Sequence, residues 1–126
     1  MTTAYRLQTT AKYFRFERLE VWQLARKFTV KIYKLTKKFP KDELFGLTNQ
    51  LRRASVSIPL NIAEGSSRTG KDFKHFLSLS RGSCFECVAI TSIAKKQNYL
   101  TELEFNKIYQ TCLSLSKMIS KLKSSL

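Results

Sequence analysis

LFGLTNQLRRASVSIPLNIAEGSSR, running from Leu44 to Arg68, combines the strongest core pattern in the chain with its least ordinary chemistry. At about 100° per residue, Leu44, Leu47, Leu51, Ser55, Ile58 and Ile62 fall on one narrow helical stripe, and Gln50, Ala54, Ser57 and Asn61 line its flank. A seam of small and polar side chains therefore runs beside an apolar one. Pro59 lies inside this helix, where it removes an amide donor and strains the preceding turn at a cost of roughly 3 kcal/mol. The pattern predicts a kink near Ser55, whose carbonyl loses its partner.

Upstream, from Glu17 to Lys38, the apolar residues Val21, Ala25, Phe28, Ile32, Leu35 and then Phe39 alternate steps of four and three, the period of a bundle helix. Leu19, Trp22, Val30 and Tyr33 form a second apolar strip on the far side of this helix, and Lys27, Lys31, Lys34 and Lys38 form a basic row between the two faces. Pro40 biases Phe39 away from helical geometry and ends the helix, and Asp42 is the expected cap of the second. That second helix should run to about Glu64, with Gly65 closing it in the left-handed conformation and Thr69 capping a third. The third helix carries Phe73, Leu77, Ser80, Cys84, Cys87, Thr91 and Ala94 on one seam, with Phe76, Leu79, Ser83, Ile90 and Ile93 beside it. Thr101-Glu102-Leu103-Glu104 reads as a capping box opening a fourth helix, which carries Phe105, Ile108, Cys112, Leu115, Ile119 and Leu122. The chain has only four Gly and two Pro, so few turns are available, and a few long helices are favoured over many strands.

Three stretches carry a resemblance: QLRRASVSIPLNIAEGSSR (50–68), FERLEVWQLA before it (16–25) and FLSLSRGSCFE after it (76–86). Across about residues 14 to 125 the chain resembles the four-helix-bundle proteins encoded in 23S rRNA intervening sequences. It departs from their pattern at Ser80, where Ala is common, and at Cys87, where Leu is common. The resemblance implies an all-α, antiparallel up-down four-helix bundle, commonly a ring-shaped homopentamer, with a role on nucleic acid and no established catalysis. The architecture is also similar to that of the accessory protein of diversity-generating retroelements, which is thought to bind nucleic acid and a reverse transcriptase.

At 126 residues the chain is one domain's worth. Residues 1–13 are polar and aperiodic and read as a mobile basic arm, with Arg6 and Lys12 available for non-specific contacts, and residues 14–126 form the bundle. No stretch has the apolar length of a signal peptide or a membrane span, so a soluble, cytoplasmic protein is expected. The net charge of +14 repels further copies of the chain and attracts polyanions. Residues 1–41 hold eleven Lys and Arg against Glu17 and Glu20, a net +9, which makes the first helix the expected contact surface.

The candidate nucleic-acid contacts are Lys27, Lys31, Lys34 and Lys38, helped by Arg15, Arg18, Arg68 and Lys71. Leu19, Trp22, Val30 and Tyr33, with Phe76 and Leu79 of the third helix, are the candidate interface between copies. Gln50, Arg53, Ser57, Asn61, Glu64 and Glu86 read as a structural polar seam that satisfies the Pro59 kink and sets register. Gly65 to Lys71 spells a phosphate loop except at Asp72, where a hydroxyl belongs and where no buried strand precedes, so a helix-to-helix connector is the better reading. Cys84-x-x-Cys87 has ligand spacing, but both thiols face an apolar seam and no second pair exists, so reduced buried cysteines are expected and no metal. With one His and no paired carboxylates, neither cofactor nor enzymatic chemistry is expected. The sequence thus points to a non-enzymatic, phosphate-directed RNA- or DNA-binding oligomer. An alternative is an adaptor whose basic surface recruits an acidic partner or a polymerase such as a reverse transcriptase.

Overall fold

Helix α1 spans Glu20–Thr36, α2 Leu47–Ser66, α3 Gly70–Lys96 and α4 Glu102–Ser124 in the computed structural model, which describes residues 13–126. Two 3-10 turns, Arg15–Arg18 and Lys41–Glu43, precede α1 and α2, and no strand occurs among the described residues. The fold is all-α with four helices. The basic arm predicted over residues 1–13 lies outside the described residues except for Tyr13.

The three-four periodicity becomes one shared core. Val21, Ala25, Phe28 and Ile32 of α1 meet Leu51, Ile58 and Ile62 of α2, Phe73, Leu77, Cys84 and Ile90 of α3, and Ile108, Cys112, Leu115 and Ile119 of α4, all buried. Burying each of the larger aliphatic or aromatic side chains is worth about 1.5–3 kcal/mol relative to exposure. The most extensive contact is between α2 and α3, followed by α3 with α4 and α1 with α2, and α1 meets α4 over a smaller area.

Pro59 is buried within α2 and supplies no amide to Ser55. The Thr29 hydroxyl of α1 donates instead to the Ser55 carbonyl, at 2.8 Å. Nearby, the Ser80 hydroxyl of α3 donates to the Ile58 carbonyl at 2.9 Å. Hydroxyls on both neighbours thus serve the backbone of α2 around its proline.

The helix ends differ from the sequence expectations in several places. Helix α1 starts at Glu20 rather than Glu17, because Arg15–Arg18 winds as a 3-10 turn whose Glu17 carboxylate accepts from the Phe14 amide at 3.1 Å. Helix α2 starts at Leu47, so Leu44 leaves the predicted stripe and is exposed. Its first amide is held by Glu43 rather than Asp42: Leu47 N–H donates to Glu43 Oε1 at 3.1 Å. A Cβ at Gly46 would lie 2.6 Å from that same oxygen, so a side chain there would push the Glu43 carboxylate out of its present capping position.

Gly65 does not close α2 in the left-handed conformation but lies within the helix, where a Cβ would sit 2.7 Å from Phe76 Cβ and 2.9 Å from Phe73 Cδ1. Its role is close approach of α3 to α2. The left-handed terminator is Asn98, at φ 63° after α3. Tyr99 N–H bonds the Ala94 carbonyl and Asn98 N–H the Lys95 carbonyl, both at 2.9 Å, a Schellman ending. The predicted capping box opens α4, with Glu104 N–H on Thr101 Oγ1 at 3.1 Å and Thr101 N–H on Glu104 Oε1 at 2.9 Å. Thr69 precedes α3 in extended geometry without a side-chain cap bond.

Candidate nucleic-acid interface

Because α1 buries the face of Val21, Ala25, Phe28 and Ile32, its steps of four and three place Lys27, Lys31 and Lys34 on the solvent side, while Lys38, expected as the end of the helix, follows in the turn after Thr36; all four are exposed. Lys31, Lys34, Leu35, Lys37 and Lys38 line a shallow basin of about 540 Å³. Lys37, which stood outside the predicted row, also lines this basin, from the helical turn that follows α1. Lys38 is also hydrogen-bonded to Glu104 at the start of α4, and that bond holds the Glu104 carboxyl below the usual range. The basin is therefore anchored to α4 through its last lysine.

The other predicted contacts form a second group near the start of α3. Arg15 lies over the Phe73 ring at 5.6 Å, and Arg68 lies over Phe76 at 5.1 Å while pairing with Glu64 at 3.0 Å. Lys71 is exposed one residue into α3, and Arg18 is exposed in the first 3-10 turn. Measured from Glu20 at about 1.5 Å per residue, Lys27 lies roughly 10 Å and Lys34 roughly 21 Å along α1 from the second group's end of the helix. Gly65 and Ser66 belong to α2, so only Ser67, Arg68 and Thr69 connect the helices where the phosphate-loop spelling occurs.

Of the candidate interface residues, Leu19 and Trp22 are half-buried against the core, Val30, Tyr33 and Leu79 are exposed, and Phe76 is half-buried beneath Arg68. A larger apolar surface lies between α3 and α4. Arg81, Cys84, Phe85, Val88, Ala89 and Ser92 face Tyr109, Cys112, Leu113, Ser116, Lys117 and Ser120 across a groove of about 740 Å³. Both sets repeat at three-four spacing, which is the signal in the sequence that marks them as two facing helix edges. No acidic residue lines the groove.

The polar seam splits in two. Ser57 and Ser83 share a hydrogen bond between hydroxyls, and Asn61 Nδ2 donates to the Ser57 carbonyl at 2.9 Å, so the seam joins α2 to α3. Gln50, Arg53 and Glu86 are exposed and Glu64 engages Arg68, so these four lie on the surface. No buried side-chain polar atom lacks a partner among the described residues.

Cys84, Cys87 and Cys112 are buried free thiols. Burial pushes the Cys84 thiol up to about 12, and a hydrogen bond with Cys112, together with burial, raises Cys87 as well. A thiol held protonated in this way is a poor nucleophile. Among the described residues no three His, Cys, Asp or Glu side chains are grouped as a metal site.

The family model described as 23S rRNA-intervening sequence protein matches residues 17–121. The chain belongs to that family. The match takes in α1, α2 and α3 whole and nearly all of α4, so the Lys row, the seam and the groove all lie on family sequence. Tyr13, Phe14, Arg15 and Phe16 precede the part shared with the 23S rRNA-intervening sequence protein family. No curated protein matches the chain. No helix among the described residues is long and apolar enough to cross a membrane.

Proposed function

We propose that this chain is a non-enzymatic, cytoplasmic nucleic-acid-binding protein that holds RNA or DNA mainly through backbone phosphates and works as a closed homo-oligomer. The reading carries with it an up-down order of the four helices and a bend of α2 at Pro59. The observation that carries it is the exposed lysine basin at the C-terminal end of α1, in a chain of net charge +14. Lysine is a compact, strongly hydrated point charge that meets phosphate without reading base edges. The row spans roughly 16 Å from Lys27 on α1 to Lys38 in the turn after it, enough for several phosphates. Copies of one weak basic row on a shared scaffold act multivalently, and the proposed ring, five-membered by resemblance, multiplies the effect.

The test replaces Lys27, Lys31, Lys34 and Lys38 together by Gln. Helicity should be retained, while binding to RNA and DNA weakens together and the slope of log affinity against log salt flattens. A variant that binds as tightly as the parent with the same slope moves the contact elsewhere.

A second reading, the adaptor, is favoured by the α3–α4 groove, whose apolar walls carry Arg81 and Lys117 and no acid. An acidic amphipathic helix suits such a surface. Binding to nucleic acid by the purified chain, steeply reduced by salt, separates the first reading from this one.

A further inference from the structure

Four aromatic side chains run in single file from the start of the described chain onto α1. Tyr13 meets Phe14 edge-on with ring centroids 5.2 Å apart, Phe14 stacks on Phe16 at 6.0 Å and 30°, and Phe16 meets Trp22 at 4.7 Å. The Arg26 guanidinium closes the file 4.7 Å from the Trp22 ring. The inner rings are half-buried, whereas Tyr13 is 82% and Phe14 59% exposed.

The exposed rings stand on a fixed base. Glu17 closes the 3-10 turn onto the Phe14 amide, and Gln23 Nε2 of α1 donates to the Glu17 carbonyl at 2.8 Å. With the Glu17 carboxylate so engaged, Glu20 is the remaining acid of the first α1 turn, against Arg15, Arg18 and Arg26 close by in the chain. Neither Tyr13 nor Phe14 contributes to the core, and a polar residue at either position would leave the core unchanged.

We propose that this file is a stacking platform for unpaired bases, so that the nucleic acid held by the chain is single-stranded, an inference that rests on the nucleic-acid reading above. A duplex keeps its base faces inside the stack and offers an exposed ring nothing to pack on. An unpaired base has open faces that pack equally on an aromatic ring or on an arginine plane. Arg26 ends the platform and Lys27, the next residue but about 100° further round α1, begins the phosphate row, so one strand winding across the solvent side of α1 reaches both. The row binds either form of nucleic acid and the platform adds the preference for unpaired nucleotides.

Trp22 is the single tryptophan of the chain and sits inside the file, so its emission reports on the platform directly. The experiment titrates the full chain with a pyrimidine single strand and with a duplex of equal length, following Trp22 fluorescence and anisotropy of the labelled nucleic acid. The single strand should quench Trp22 and bind at least about fivefold more tightly than the duplex. The double variant Tyr13→Ala, Phe14→Ala should lose about fivefold to a hundredfold in single-strand affinity, the worth of one lost base stack, with duplex binding unchanged. Phe14→Tyr should behave as the parent. Equal binding of both forms, untouched by the double variant, overturns the platform and leaves phosphate-directed binding standing. A parent that binds neither form overturns both. A fall in oligomer mass in the double variant makes the file an interface between copies and overturns the platform.

Discussion

The hydroxyl of Thr29 on α1 donates to the carbonyl oxygen of Ser55 on α2 across 2.8 Å, and Ser55 is the residue whose helical donor Pro59 removes. The same hydroxyl lies 3.0 Å from the Ala25 carbonyl, but that acceptor already has an amide partner four residues on in its own helix. The Ser55 oxygen is the one in need. Thr29→Val should therefore cost about 1–3 kcal/mol, the penalty of an unsatisfied acceptor, and Thr29→Ser should keep most of the stability. In a Pro59→Ala background the backbone amide gained at that position is available to Ser55, and Thr29→Val should cost much less. Urea denaturation of the four-member cycle measures this, and an equal cost in both backgrounds would refute the pairing.

The orphaned Ser55 carbonyl is legible from the proline alone, since the missing amide follows from covalent structure. Its donor is not. Thr29 falls between the apolar face and the second apolar strip of α1, and no periodicity links it to a residue twenty-six positions later. The lysine row is legible for the opposite reason, being a repeat of one charge at helical steps. Tyr13 and Phe14 give no such signal because they stand in an aperiodic stretch, and only the 3-10 turn behind them lines their rings up with Trp22.

Gly65 and Gly82 make a contrasting pair. Gly65→Ala drives a methyl to within 2.7 Å of Phe76 Cβ, and overpacking of this kind costs about 1–3 kcal/mol, partly offset by the better helix propensity of Ala. Nothing lies within 4 Å of a Cβ at Gly82, in the middle of α3, so Gly82→Ala should stabilise by about 0.5–1 kcal/mol. Thermal melts should shift in opposite directions. Close approach to another helix leaves no local trace in a sequence, which is why Gly65 reads there as a helix terminator.

Glu104 is both the reciprocal partner of the capping box and the hydrogen-bond partner of Lys38, chiefly for which its carboxyl lies below its ordinary value of 4.5. A carboxyl lowered on folding adds stability that is present above the unfolded value and fades as pH falls through the folded one. Stability should therefore drop as pH falls below about 4.5, and Glu104→Gln should flatten that drop. Thr101→Ala removes the other half of the box and should cost about 1 kcal/mol at neutral pH. Denaturant midpoints across the acid range test both, and an unchanged acid slope in Glu104→Gln would assign it to another carboxylate.

The proposed ring makes a sharper demand than a mass. A closed ring of identical subunits with an odd number of members needs head-to-tail contacts, in which each subunit offers two different patches. Two separated apolar surfaces stand exposed, Val30 with Tyr33 on α1, and Phe85 with Tyr109 and Leu113 along the α3–α4 groove. Val30→Glu and Phe85→Glu each introduce charge at an exposed position, so the fold should change by less than about 0.5 kcal/mol while each variant alone falls to a monomer. Mixing the two should then produce a dimer and nothing larger, because the intact groove of the first variant meets the intact α1 patch of the second and the remaining surfaces are both spoiled. A two-fold interface cannot complement in this way, since each patch pairs with its own copy. Light scattering of the single variants and of the mixture decides the matter: persistence of full mass in either variant, or a mixture that stays monomeric, removes this pair of surfaces from the assembly.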